Sequence, residues 1–323
     1  MALSTQLHVV TGKGGTGKTT VAAALAMSLA SEGKKVLLCE VEGRQGIAQL
    51  FDVPPLPYEE RRIAVGLGGG SVYALAIDPE SALLEYLAMY YRLGRAGKAL
   101  DRFGIIDFAT TIAPGVRDVL LTGKVYEAAR RRDDDNSFTY DAVIMDAPPT
   151  GRITRFLNVN SEVAGLAKVG PIRRQADSIM QMMRSPQTRV HLVTVLEEMP
   201  VQETLDGIAE LTSSRLPIGH VILNLVRPSL LSAATRKALD AGTVKAPAIA
   251  KSLAKASFDE AAAPALLTGG LAHLERQHLQ EGQRDILDDC GQPLAELPSL
   301  SDGIDLGALF ELAETLKSAG VGA

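Results

Sequence analysis

TGKGGTGKTT, Thr11 to Thr20, is a glycine-rich loop between an apolar, strand-like run and a helical pattern. Its spacing, Gly12-x-x-x-x-Gly17-Lys18-Thr19, together with that strand–loop–helix setting, is what a Walker A phosphate loop requires. Glycines at 12, 14, 15 and 17 let backbone N–H groups converge on phosphates without interference from a Cβ. The helix that opens after Gly17 adds positive potential from its N-terminus. Lys18 is placed to neutralise the β- and γ-phosphates, and the Thr19 hydroxyl to ligate Mg²⁺. The sequence therefore predicts an ATP·Mg²⁺ site built from Gly12, Gly14, Gly15, Thr16, Gly17, Lys18, Thr19 and Thr20.

Working outward, short apolar runs recur between helical patterns: Leu7–Thr11, Lys35–Val41, Val72–Asp78, Asp141–Ala147, Val190–Leu196 and His220–Val226. Their hydrophobicity is continuous rather than alternating, which indicates parallel strands covered on both faces. Strand–helix alternation of this kind predicts an α/β fold with a doubly wound, mostly parallel sheet. Lys18 to Ser31 reads as one helix, ended by Gly33 at its C′ position. Residues 81–132 break the alternation and read as a helical insert within a single ATPase domain spanning 1–323. Pro54, Pro55 and Pro57, then Gly66 to Ser71, bracket a loop. The alanine-rich stretch Ser229 to Gly270 reads as helices. The final pattern places Leu306, Leu309, Phe310, Ala313 and Leu316 on one face, expected to pack on the core.

Bulk properties narrow the class. A hydrophobic content of 46% supplies a full core without a metal or disulfide staple. Net charge is −5, and the one charge run, RRRDDD (Arg130 to Asp135), nearly cancels and reads as a solvated loop. Neither that balance nor an aromatic content of 4% favours nucleic acid. Cys39 and Cys290 form no CxxC or Cys/His pattern, which argues against zinc and for a reducing compartment. No apolar run reaches the ~18 residues of a spanning helix, and the N-terminus has no leader-like pattern; the expected location is cytoplasmic. His8, His191 and His220, in or beside strands, suggest no further chemistry.

Lys13 is the departure within the loop. Lys18 already serves the loop's own phosphates, so a second cation becomes useful if it reaches a phosphate across a subunit boundary, as an arginine finger does. A solvated surface lysine is the alternative. Downstream, DAPPTGRITRFL (Asp146 to Leu157) ends an apolar strand with an aspartate placed to hold Mg²⁺ or its water. Gly151 gives the following loop freedom to respond to a γ-phosphate.

KGGTGKTT resembles the deviant Walker A loop of the partitioning, septum-site, nitrogenase-iron and arsenical-pump ATPases. There the extra lysine acts across a dimer that sandwiches two nucleotides. DxxPTGxxxRFL resembles, more narrowly, the switch II signature of the arsenical pump-driving and guided-entry (tail-anchored protein targeting) ATPases. KVLLCEVEGRQGIAQLF resembles that family's second strand and switch I, which puts Glu42 where an aspartate positions the attacking water. The resemblance further implies that Asn224 reads the adenine edge, that LPSLSD (Leu297 to Asp302), with Pro298, is a loop lining the base's other side, and that APGVRDVLL enters the helical region. It gives Glu203 the place of an acidic family residue. EVEGRQGIAQLFDVPPLPY resembles the actinobacterial single-unit anion-transporting branch, whose members work as pairs of related subunits.

The implied catalytic set is Lys13, Lys18, Glu42 and Asp146, with Thr19 and Asp146 at Mg²⁺, the latter through water. The implied partner is a second copy or a related ATPase subunit. A hydrophobic protein client or a membrane-associated partner also follows from the resemblance. Two departures bear on the role. The cysteines of arsenite binding and the CxxC clip of the tail-anchor ATPases have no counterpart here. IMQMMRSP (Ile179 to Pro186) is open to reading as a client surface or as core. The alternatives are a non-catalytic ATP-binding subunit paired with a related ATPase and a partition- or septum-site-type positioning ATPase.

Overall fold

Six strands carry too little polar surface to lie anywhere but inside. β1 (Leu7–Gly12) is buried along its whole length, as its unbroken apolar run predicts. The computed structural model of the chain describes residues 6–91, 114–158, 171–301 and 303–322. After β1 come α1 (Lys18–Ser31), β2 (Lys35–Glu40), α2 (Gly46–Leu50), β3 (Arg61–Val65), β4 (Ser71–Ala76) and α3 (Pro79–Tyr91). Then follow α4 (Pro114–Arg130), β5 (Ala142–Asp146), α5 (Thr150–Leu157), α6 (Pro171–Met183), β6 (Thr188–Thr194), α7 (Glu198–Ser213) and β7 (Ile218–Val226). The chain ends in α8 (Ala233–Asp240), α9 (Ala246–Lys255), α10 (Ala263–Asp288), β8 (Leu294–Pro298) and α11 (Leu306–Ser318).

The strands form one sheet in the order β3-β4-β2-β5-β1-β6-β7-β8, parallel throughout except for β3 against β4. Alternate residues feed two cores. Leu7, Val9, Leu37 and Cys39 pack with side chains of α4, α5, α6 and α7 on one face. Val10, Val36 and Leu38 pack with α1, α2 and α11 on the other. The fold is therefore α/β with helices on both faces, as expected. Helix α1 is apolar nearly all round and is buried accordingly. Its end follows from Gly33, at φ +89°, whose N–H bonds the Ala30 carbonyl while that of Lys34 reaches Leu29.

Several expectations are corrected. The bracketed loop contains β3, an exposed antiparallel edge strand. The stretch beginning at Leu297 is the end of β8 rather than all loop. In RRRDDD, Arg131 is not solvated: it grips both Glu127 oxygens at 2.7 and 2.8 Å and reaches Glu60 at 2.9 Å, while Tyr140 donates to the same Glu60. Lys124 bonds Glu85 at 2.7 Å, and Tyr58 donates to that carboxylate too. These bonds tie α3 and α4, the two described ends of the expected insert, to the loop before β3 and to Tyr140, just before β5. The rest of that insert, residues 92–113, lies outside the described residues, as does part of APGVRDVLL. Ile179, Met180, Met182 and Met183 are buried in the core, so the methionine stretch is packing, not a client surface. Helix α11 covers α1 through Leu309, Leu312, Ala313 and Leu316, but Leu306 is left 47% exposed.

Candidate functional site

Parallel strands of a doubly wound sheet leave a crevice beyond their C-terminal ends, and the predicted residues gather there. The phosphate loop leaves β1 between β5 and β6. Gly12 allows that close passage, because a Cβ there would lie 2.1 Å from the Val193 carbonyl oxygen. Gly14 and Gly15 are exposed at the loop's crest. Thr16 is buried and donates its hydroxyl to the Lys13 carbonyl at 2.9 Å, closing the loop on itself. Gly17 caps α1 at φ +85°, with no room for a Cβ: the Asn224 amide nitrogen would be 2.4 Å away. Lys18, Thr19 and Thr20 form the first turn of α1.

Opposite this turn stand the carboxylates. The Thr19 hydroxyl donates to Asp146 Oδ2 at 2.7 Å. Burial pushes Asp146 up to about 6, with the Thr19 bond and the Lys18 charge opposing and Glu40 and Glu42 adding to the rise. Lys18 is buried, which lowers its pKa, while Asp146 and Glu42 pull the other way. Glu42 is half-buried and 3.7 Å from the guanidinium of Arg44. The arrangement thus brings Lys18, Thr19, Glu42 and Asp146 together. A hydroxyl and buried carboxylate oxygens around an anion-binding loop are the hard donor set that Mg²⁺ with phosphate takes. Thr11 steadies the far side by donating to the Pro148 carbonyl at 2.6 Å, which holds the start of α5 against β1.

The remaining residues divide. Lys13 turns out of the loop and pairs with Glu203 of α7, Nζ to Oε1, at 2.7 Å. Asn224 is buried near the end of β7, where Leu225 adopts φ +57° and the register with β8 shifts. Its Nδ2 donates to the Thr16 carbonyl at 2.9 Å. The amide nitrogen expected to meet adenine is thus committed to the phosphate loop here. Pro298 reaches the same sheet edge on the outermost strand, β8, as register partner of Val226.

Comparison with known proteins fits this geometry. Residues 5–187, more than half of the chain, match the family described as anion-transporting ATPase. The chain belongs to the anion-transporting ATPase family. It is 52% identical to ATPase BagA of Mycobacterium tuberculosis over 321 residues, covering 98% of this chain and 94% of that protein. It is 27% identical over 233 residues to an arsenical pump-driving ATPase of Acidiphilium multivorum, covering 68% of this chain and 39% of the relative. With ATPase GET3 of Kluyveromyces lactis it shares 24% identity over 249 residues, covering 67% of this chain and 70% of that protein. Among the described residues no helix is long and apolar enough to cross a membrane.

Sequence reasoning singled out neither of two buried residues at this crevice, Glu40 and Thr11. Glu40, the last residue of β2, is buried beside Asp146 as its register partner. The signal was available, since an acidic residue ending the apolar run KVLLCE repeats what singled out Asp146. Thr11 had no comparable signal, because a threonine within a strand is ordinary.

Proposed function

We propose that this chain is a Mg²⁺-dependent ATPase that works as a nucleotide-gated dimeric switch, its ATP sandwiched between two subunits. The observation that carries the reading is the division of labour between two lysines of one loop. Lys18 is buried against Asp146 and Glu42, whereas Lys13 turns outward into an ion pair with Glu203. A lysine so placed is positioned to serve a neighbour's phosphate instead of its own.

Magnesium, when bound, would supply positive charge against the charge that develops on the phosphates. Thr19 and Asp146 would hold it, Asp146 through water, while the loop's backbone and Lys18 orient the phosphates. Glu42 would orient the attacking water, reaching one methylene further than an aspartate; that longer reach keeps open a slow or non-catalytic subunit paired with a related ATPase. Thr150 and Gly151, at the start of α5, would report hydrolysis to the helices packed against it. The domain would be the whole of 1–323, with the 81–132 insert converting closure into binding or release. The names of the relatives motivate an anionic, protein or membrane-associated client. Arsenite capture by Cys39 is not supported, because that thiol is wholly buried and burial drives its pKa strongly up.

The test is phosphate release from Mg·ATP by the purified chain across a range of protein concentrations, with Lys13→Ala in parallel. The reading expects a specific rate that climbs with concentration and collapses by about 10³-fold or more in the variant, as when a trans-acting finger is removed. Tight ATP binding without turnover at any concentration would point to the non-catalytic pairing.

A further inference from the structure

Glu40 is the feature that the catalytic reading does not use. It is 2% exposed at the end of β2 and is the register partner of Asp146 on the adjacent parallel strand. Register partners send their side chains to the same face of a sheet. Glu40 Oε2 accepts the Ile47 N–H at 3.3 Å, in the first turn of α2. Oε1 is buried with no hydrogen-bond partner among the described residues. The buried lysine nearby is placed elsewhere: the Lys18 ammonium is directed to the Lys13 carbonyl, 3.5 Å away. Capping α2 needs one neutral acceptor, which a glutamine amide supplies. A carboxylate with a spare buried oxygen is disfavoured unless a donor or cation fills the remaining place.

We propose that Glu40 is a positioning residue for the magnesium ion of the ATP site, its free Oε1 accepting a hydrogen bond from a water of the ion's shell. The inference rests on the Mg·ATP reading above. Magnesium keeps several of its waters when bound with phosphates, and those waters need acceptors on the protein side. Thr19 and Asp146 occupy one side of the site; Glu40, one strand further along, offers an oxygen that no described residue claims. Through Oε2 the same side chain fixes the start of α2. The segment between, Val41 to Gly46, carries Glu42 and is clamped at its other end by the Gln45 amide, which exchanges two hydrogen bonds with Leu56 at 2.7 and 3.1 Å. Cation occupancy is thereby connected through one carboxylate to the segment that presents the water-orienting residue.

The experiment uses the full chain with Glu40→Gln, Glu40→Asp and Asp146→Asn. Mn²⁺ affinity is measured by electron paramagnetic resonance in the presence of ADP, and ADP affinity is measured separately in EDTA. Hydrogen exchange of residues 41–47 is followed with and without Mn²⁺. The proposal expects both Glu40 variants to bind Mn²⁺ about 10- to 100-fold more weakly, with ADP affinity in EDTA unchanged and the Mn²⁺-dependent protection of 41–47 lost. Wild-type Mn²⁺ affinity in both Glu40 variants, with a loss in Asp146→Asn, overturns the role of Glu40 and leaves the magnesium site standing. No nucleotide-dependent Mn²⁺ binding by the unaltered chain overturns both. If Glu40→Gln fails to fold, Glu40→Asp decides, since it keeps the charge and withdraws only its reach.

Discussion

At the scale of single residues, the site is held by contacts that leave little freedom. Gly17 combines a left-handed backbone with an amide nitrogen 2.4 Å from the place of a Cβ. Gly17→Ala is therefore expected to strain the loop and push Asn224 off the Thr16 carbonyl, weakening nucleotide binding by about tenfold or more, in line with ~1–3 kcal/mol of backbone strain. Titration with a fluorescent ATP analogue measures it, and an affinity equal to wild type would contradict the geometry. The Lys13–Glu203 pair has side chains 30% and 37% exposed, so it is worth less than about 1 kcal/mol. Glu203→Gln frees Lys13 and is expected to lower, by no more than about fivefold, the protein concentration at which hydrolysis is half-maximal. An increase would show that Glu203 assists Lys13 instead of detaining it. Much of this was legible in the sequence, because a phosphate loop needs glycines and a lysine at fixed spacing. What Lys13 and Asn224 touch was not, since both partners lie far away in the chain and are brought near only by the order of the strands.

At the scale of elements, what could be read depended on how many faces an element buries. Six strands covered on both sides announce themselves as apolar runs. β3 and β8, at the two edges of the sheet, are half-exposed and read as loop. A run such as RRIAV has too few apolar residues to stand out, and LAELP ends in a residue that strands tolerate only at edges. Helix α11 shows the converse, since its amphipathic pattern predicted a packed face correctly apart from one position. Leu316 is fully buried against α1, whereas Leu306 is 47% exposed. Leu316→Ala is expected to cost about 2–5 kcal/mol of stability and Leu306→Ala less than about 0.5 kcal/mol, as read by urea denaturation. Arg131 was misread because charge runs are usually solvated, yet this guanidinium joins α4 to the loop before β3 through Glu127 and Glu60. Arg131→Met, which keeps the stem and removes the fork, is expected to cost about 1–3 kcal/mol. It should also raise hydrogen exchange in both elements together; exchange raised in only one of them would mean that the network does not couple them.

At the scale of the whole molecule, three histidines far apart in sequence are stacked across three adjacent strands. His8 and His191 lie 5.4 Å apart and His191 and His220 5.9 Å apart, ring centre to ring centre. The backbone N–H of His220 donates to His191 Nδ1 at 3.2 Å, so His191 carries its proton on Nε2 and donates it to His8 Nδ1, 3.1 Å away. Adding a proton to His191 Nδ1 or His8 Nδ1 breaks one of these bonds, and both rings are buried. Burial first, then the charges of Lys34, Arg189 and His220, lower His8 to about 3; burial likewise holds His191 well below 6.5 and His220 below it. Because the folded values are depressed, the unfolded chain binds more protons, and stability falls as pH drops from 6.5 toward 3. Asp146, raised to about 6 in the ligand-free chain, acts with the opposite sign. Its contribution is full below 3.8, is lost as pH rises through 6, and so offsets only part of the acid loss. The urea midpoint of the ligand-free protein is therefore expected to be lower at pH 5 than at pH 7.5. His8→Gln, which cannot charge, should flatten that slope, and a slope unchanged in the variant would place the acid sensitivity elsewhere in the fold.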